Sequence, residues 1–120
     1  MKRAAIILVL AACGSGGNAS RDAVIAAWKS GGLAPSAFTA VKDSPVGKDC
    51  QAGTVNSVDV IVCTFTTTDE TKAAQDVGLK WVGDTTGISQ AKGSVLIVAA
   101  DRKKADPKGD TINKLVKLAP

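Results

Sequence analysis

The sequence predicts a single α+β domain: a small, mainly antiparallel sheet of three to five strands with helices packed on one face. Three observations lead there. Two apolar stretches rich in β-branched residues, Thr54–Thr66 and Ser94–Ala100, read as strands. Three other segments, opening at Ser20, Thr67 and Asp106, combine helix start signals with apolar residues at helical spacing. Beyond residue 20 there is neither an internal repeat nor a second block of composition, so one domain accounts for the chain. A ferredoxin-like or related two-layer sandwich is the specific architecture this pattern suggests.

The first nineteen residues stand apart from that domain. Lys2 and Arg3 precede an apolar run from Ala4 to Leu10, and small residues follow. A charged start, an apolar middle and small residues before a cut have the anatomy of a secretory signal peptide. The run is far below the ~20 apolar residues a membrane-spanning helix needs. Cys13 stands directly after Leu10-Ala11-Ala12, and this stretch resembles the lipobox of bacterial lipoproteins. The resemblance covers the targeting segment alone. It implies that residues 1–12 are removed and that Cys13, acylated by at least two chains including a diacylglycerol, opens the mature protein. It also implies export and attachment to a lipid bilayer of the bacterial cell envelope, on the periplasmic side or at the cell surface. Two chains anchor stably where one is marginal. Residues 13–19, Cys-Gly-Ser-Gly-Gly-Asn-Ala, have the composition of a flexible tether, which leaves residues 20–120 for the folded domain.

Removing residues 1–12 of the 120 leaves 108. A chain of that size buries roughly two-thirds of the surface it exposes when unfolded, enough for a true core. Without Lys2 and Arg3, 13 basic and 11 acidic side chains leave a formal charge of +2. So small a charge, with four aromatic residues in all, argues against nucleic acid as a partner. The chain has no His and no Tyr, so the commonest general base and metal ligand are missing, and no cofactor or metal is expected. Two cysteines remain besides Cys13. In an oxidising compartment Cys50 and Cys63 are expected to pair, closing a loop of about fourteen residues and contributing ~3 kcal/mol in the chain-entropy picture.

Along the domain, Ser20 caps a helix through Lys29 whose face is Val24, Ala27 and Trp28. Gly31, Gly32 and Leu33 provide a Schellman-type stop, and Trp28 is expected to anchor the core. Residues 37–42 have strand character, and Lys48–Gly53 reads as a loop or hairpin end. Thr54–Thr66 is the clearest strand: Val58, Val60 and Val62 face one way and Ile61, Cys63 and Phe65 the other. Two apolar faces place it inside the sheet, with Asp59 near its solvent end. Thr67 and Glu70 form a capping box for a helix running to about Val77, with Ala73, Ala74 and Val77 inward and Gly78 as C-cap. Residues 79–82 fit either another helical turn or an extended piece. Asp84–Gly87 is a turn, Ile88–Lys92 a short edge strand, and Ser94–Ala100 a second central strand. Asp106 then caps, and Pro107 begins, a closing helix with Ile112, Leu115, Val116 and Ala119 on one side.

The densest polar cluster, Asp101-Arg102-Lys103-Lys104, follows the strongest apolar strand, where scaffolds usually present function. With Lys108 these cations form a candidate anion-binding patch; the competing reading is a solvated helix face with pairs such as Asp110–Lys114. Asp84 and Asp101 would act as an acid/base pair only if folding brought them close and partly desolvated them. No phosphate loop, nucleophile elbow or His-based motif occurs, so no catalytic residue is assigned. The expectation is a non-catalytic binding or structural domain of the envelope, with a protein or glycan partner and its oligomeric state open. The alternative is a domain that binds or hydrolyses a small anionic ligand at Asp84, Asp101 and Arg102.

Overall fold

A computed structural model of the chain describes residues 20–120. Residues 1–19, expected to be a signal peptide and a tether opened by Cys13, lie outside the described residues.

Helix α1 (Arg21–Ser30) begins and ends as local chemistry dictates. The Ser20 hydroxyl accepts a hydrogen bond from the Ala23 amide at 3.1 Å, and Asp22 lies in the first turn. At the other end Leu33 N–H reaches Trp28 O at 3.0 Å and Gly32 N–H reaches Lys29 O at 3.2 Å, the two bonds of a Schellman stop. Gly32 turns the chain there with φ of 94°.

The next segment departs from expectation. Only Thr39–Ala40 pairs as β1, while Asp49–Val55 forms a full strand, β2, and Val58–Thr64 forms β3. The single strand expected over 54–66 in fact spans the end of β2, the turn and β3, and Lys48–Gly53, expected as a loop or hairpin end, lies mostly in β2. The chain reverses at Asn56 (φ 49°) and Ser57 (φ 70°), both left-handed, as a two-residue primed turn requires. Asn tolerates that region, and a contact from outside the hairpin holds it. Asn56 Oδ1 accepts from Ala34 N–H at 2.8 Å, and Asn56 N–H donates to Ala34 O at 3.3 Å.

Helix α2 (Thr68–Val82) opens with the expected capping box. Thr67 Oγ1 accepts from Glu70 N–H, and Glu70 Oε1 accepts from Thr67 N–H, each at 3.1 Å. It does not stop at Gly78. The helix runs through that glycine to a cap at Gly83 and buries Thr71, Ala74, Gly78 and Val82; Ala73 and Val77, expected inward, are exposed. A Cβ at Gly78 would lie 2.9 Å from Val98 Cγ2 and overlap Ser89 Oγ, so the glycine permits close approach of helix to sheet.

Strands β4 (Gly87–Lys92) and β5 (Val95–Ala100) follow, then α3 (Asp110–Leu118). The sheet has five strands in the order β1-β2-β3-β5-β4, every neighbouring pair antiparallel. The α+β class, the antiparallel sheet, the edge position of β4 and the internal positions of β3 and β5 are therefore as the sequence predicts. The helices pack against the sheet, but on both faces rather than one. Val24 and Trp28 of α1 and Ile112 and Leu115 of α3 meet Val58, Val60, Val62, Val95 and Ile97. Ala74 and Val82 of α2 meet Ile61, Cys63, Leu96, Val98 and Ala100 on the opposite face. Both faces of the central strands are apolar, so both require cover. Helices on each side of the sheet make three layers, so the arrangement is not the two-layer sandwich the sequence suggests.

Two bonds tie neighbouring elements, each within one layer. The buried Trp28 indole N–H donates to Leu115 O at 2.8 Å, joining α1 to α3. Cys50 and Cys63, directly opposed on β2 and β3 with Cα atoms 4.0 Å apart, form a buried disulfide. Cys50 sits on a strand and not on the loop expected for it. Among the described residues no helix is long and apolar enough to cross a membrane.

Candidate functional site

Strand β5 delivers Asp101 to the loop before α3, and the fold consumes its carboxylate there. Asp101 is 5 % exposed. Its Oδ1 accepts from Ala105 N–H at 2.8 Å and its Oδ2 from Asp106 N–H at 2.9 Å. The Asp106 carboxylate, equally buried, accepts from Thr111 N–H at 3.1 Å and Ile112 N–H at 2.9 Å. These are first-turn amides of α3, which otherwise lack partners. Asp106 is not the N-cap expected of it: the helix starts at Asp110 after Gly109, not at Pro107, and Asp106 reaches the first-turn amides from across a loop. Two buried carboxylates in series hold residues 101–112 in shape.

Arg102 is equally committed. Its Nη2 donates to Trp81 O at 2.6 Å, its guanidinium lies 4.2 Å from the Trp81 ring centroid, and Nη1 is 3.8 Å from Asp59 Oδ2. Lys103, Lys104 and Lys108 are exposed. Asp84, Thr85, Thr86, Asp101, Arg102 and Lys104 line one depression of about 330 Å³ with Pro107, so folding does bring the two aspartates to a common hollow. Lys103 and Lys108 do not line it. Asp84 stands exposed at its rim while Asp101 is turned to backbone amides, an arrangement that positions a loop and leaves one carboxylate for solvent. Among the described residues no three Cys, Asp or Glu side chains group as a metal site would need.

A larger opening lies on the α2 face of the sheet. Helix α2 lies over β4 and β5, while the start of β2 on that face is covered by the loop carrying buried Val46. Between helix and loop runs a groove of about 750 Å³. Glu70, Ala73, Ala74 and Val77 form its helical wall, spaced one turn apart. Gly47, Lys48 and Asp49 form the opposite wall, with Thr64, Phe65 and Thr66 between. Gly47 packs flat on Phe65: a Cβ there would sit 3.0 Å from the ring Cζ. Val77 is 37 % exposed, an apolar side chain left open to solvent.

The acidic groups at the groove are already engaged. Asp49 accepts from the Thr64 hydroxyl at 2.5 Å and from Arg21 Nη1 at 3.1 Å. The Thr64 hydrogen bond first, and then that from Arg21, holds its carboxyl below the usual carboxylate range. Glu70 is spent on the capping box. What remains is a strip of Phe65, Ala73, Ala74 and Val77 between polar walls, on one of which Lys48 is exposed. Sequence reasoning missed this site because it assigned Ala73 and Val77 to the core. The small-residue series Thr71, Ala74, Gly78 and Val82 carried the signal for the true inward stripe. A further groove of about 720 Å³, between α3 and β4, is lined mainly by Asp110, Asn113, Lys114 and Lys117. No family model matches the chain, and neither a curated protein nor a solved structure is found to be similar to it.

Proposed function

We propose that this protein is an exported lipoprotein, held to a bilayer of the bacterial cell envelope through acylated Cys13, whose folded domain binds an envelope component without catalysing a reaction. The observation that carries the reading is a contrast between two sites. At the strand-end loop the groups suited to chemistry are tied into the fold, Asp101 by two backbone amides and Arg102 by Trp81 and Asp59. Beside α2, by contrast, a groove stands open in which Phe65, Ala73, Ala74 and exposed Val77 lie between polar walls, a concave surface on which a partner could seat.

Cross-linking in intact cells followed by affinity capture and mass spectrometry tests it. The expected result is an acylated Cys13 together with a dominant cross-linked neighbour that is lost in Val77→Asp. An unmodified Cys13 would overturn the anchoring, and a neighbour indifferent to Val77→Asp would overturn the groove as its docking face.

One observation favours the second reading, a small-anion site: Asp84, Asp101, Arg102 and Lys104 share a depression. Titration with inorganic phosphate, followed by amide chemical shifts, should move residues 84–86 and 102–104 together if that reading holds. Shifts scattered over all exposed lysines would dismiss it.

A further inference from the structure

We infer that the open edge of β4 is a pairing surface for a second copy of this chain, β4 against β4 about a two-fold axis at Ser89. The inference rests neither on the acylation of Cys13 nor on the groove beside α2. The two edges of the sheet differ. β1 is cut to Thr39–Ala40, and so short an edge gives another strand little to add to. β4 runs from Gly87 to Lys92 in unbroken register with β5, without proline or bulge, and its one charge, Lys92, stands at the end beside the turn. Lys92 and Val95 close that turn, so Lys92, Gln90 and Ile88 direct their backbone groups to β5 while Gly87, Ser89 and Ala91 direct theirs outward. Ala91 N–H donates to Gln75 Oε1 at 2.8 Å, and Ala91 O accepts from Gln90 Nε2 at 3.2 Å. Among the described residues the outward backbone groups of Gly87 and Ser89 have no partner.

The surroundings of this edge fit a second copy. Helix α2 runs antiparallel to β4: Gln75 reaches Ala91, a Cβ at Gly78 would meet Ser89, and one at Gly87 would meet Val82. The Cβ at Gly78 would also meet Val98, the β5 partner of Ser89, so α2 lies over the seam between the two strands. Joining β4 to β4 then sets the two α2 helices two strand spacings apart, about 10 Å, a distance at which helices pack. Leu79 follows Gly78 on the flank of α2 that carries Gln75. It is 51 % exposed, and, level with Ser89, it meets Leu79 of the second copy at the axis. Along the strands Ile88 faces Gln90, and Lys92 faces Thr86, of the second copy, so no like charges oppose each other. On the other sheet face a full side of α3, from Asp110 to Lys117, lines the groove beside Ile88. The two-fold axis reverses that helix, which turns the Asp110 end of one α3 toward Lys117 of the other. Gln75 and Gln90 give up their bonds at Ala91 to Gly87 of the second copy, and hold that end of the edge when the copies part.

Cysteine trapping of the full chain in intact cells tests the axis. Leu79→Cys should give a covalent dimer after brief oxidation, seen on non-reducing gels and lost with reductant. Lys80→Cys, one residue on and turned away from the axis, should not. Adding Ser89→Pro to Leu79→Cys removes an edge N–H that is unpaired in the single copy and should abolish the dimer. No dimer from Leu79→Cys, or an equal one from Lys80→Cys, would overturn the inference, and so would an adduct of Leu79→Cys with a different protein. Amide exchange of the purified protein is the second arm. Ser89 N–H should exchange about tenfold or more slowly in the wild type than in Leu79→Asp, a change at an exposed position. Fast Ser89 exchange in the wild type would sink the pairing. Slow exchange in a protein that sediments as a monomer would assign the edge to another segment of this chain and overturn it likewise.

Discussion

Asp101 shows how a residue singled out for chemistry can be claimed by folding. Its two oxygens, themselves buried, serve the amides of Ala105 and Asp106 in the loop before α3. Asp101→Ala should therefore cost about 3 kcal/mol, since each buried amide left without an acceptor costs ~1–3 kcal/mol. Urea unfolding measures this, and a loss below 1 kcal/mol would mean that water replaces the carboxylate. Asp49 gives the pH counterpart. Its pKa is lowered in the fold, so its contribution is complete above the ordinary carboxylate value of about 4 and is lost as pH falls through the lowered one. Asp49→Asn should flatten the acid limb of the stability profile below about pH 4. An unchanged acid limb would show that the Arg21 and Thr64 contacts do not persist in solution.

At the scale of elements, α2 illustrates the difference between a residue's propensity and its surroundings. Gly→Ala inside an exposed helix gains up to ~1 kcal/mol. At Gly78 the added methyl meets Val98 and Ser89, so Gly78→Ala should instead destabilise by about 1–3 kcal/mol, read from the urea midpoint. A stabilised variant would mean that the helix can lift off β4 and β5 without penalty. The same glycine explains a misjudged boundary. By sequence, Gly78 after an apolar stripe resembles a helix stop; only the closeness of Val98 shows why a glycine is needed mid-helix. The hairpin turn was misjudged for a related reason. Asn56-Ser57 lacks the glycine that usually announces a primed turn, and the turn is held from outside by Ala34.

For the whole molecule, the Trp28–Leu115 bond joins helices distant in sequence, and the disulfide ties the two strands of the hairpin. Reducing Cys50–Cys63 should cost about 3 kcal/mol, the chain-entropy value for a loop of this size; coincident unfolding curves with and without reductant would contradict that. Val77→Asp, by contrast, should leave stability within about 0.5 kcal/mol of wild type, as expected for an exposed position. Its effect on capture would then report the groove and not the fold.

The sequence by itself determined the α+β class, the Ser20 cap, the Thr67–Glu70 capping box, the apolar cores of β3 and β5, and the pairing of Cys50 with Cys63. Each is written in residues adjacent in the chain or, for the cysteines, left as one remaining pair. Tertiary structure decided where α2 ends, which helix covers which face, the hairpin at Asn56, the burial of Asp101 and the groove beside α2. Those outcomes depend on what approaches a residue from another element. Two apolar faces on β3 and β5 demand cover, but the connections and the small side chains of Ala74 and Gly78 decide that α2 fits against β4 and β5. The strip it leaves bare, Ala73 and Val77 facing Phe65, follows from that choice alone.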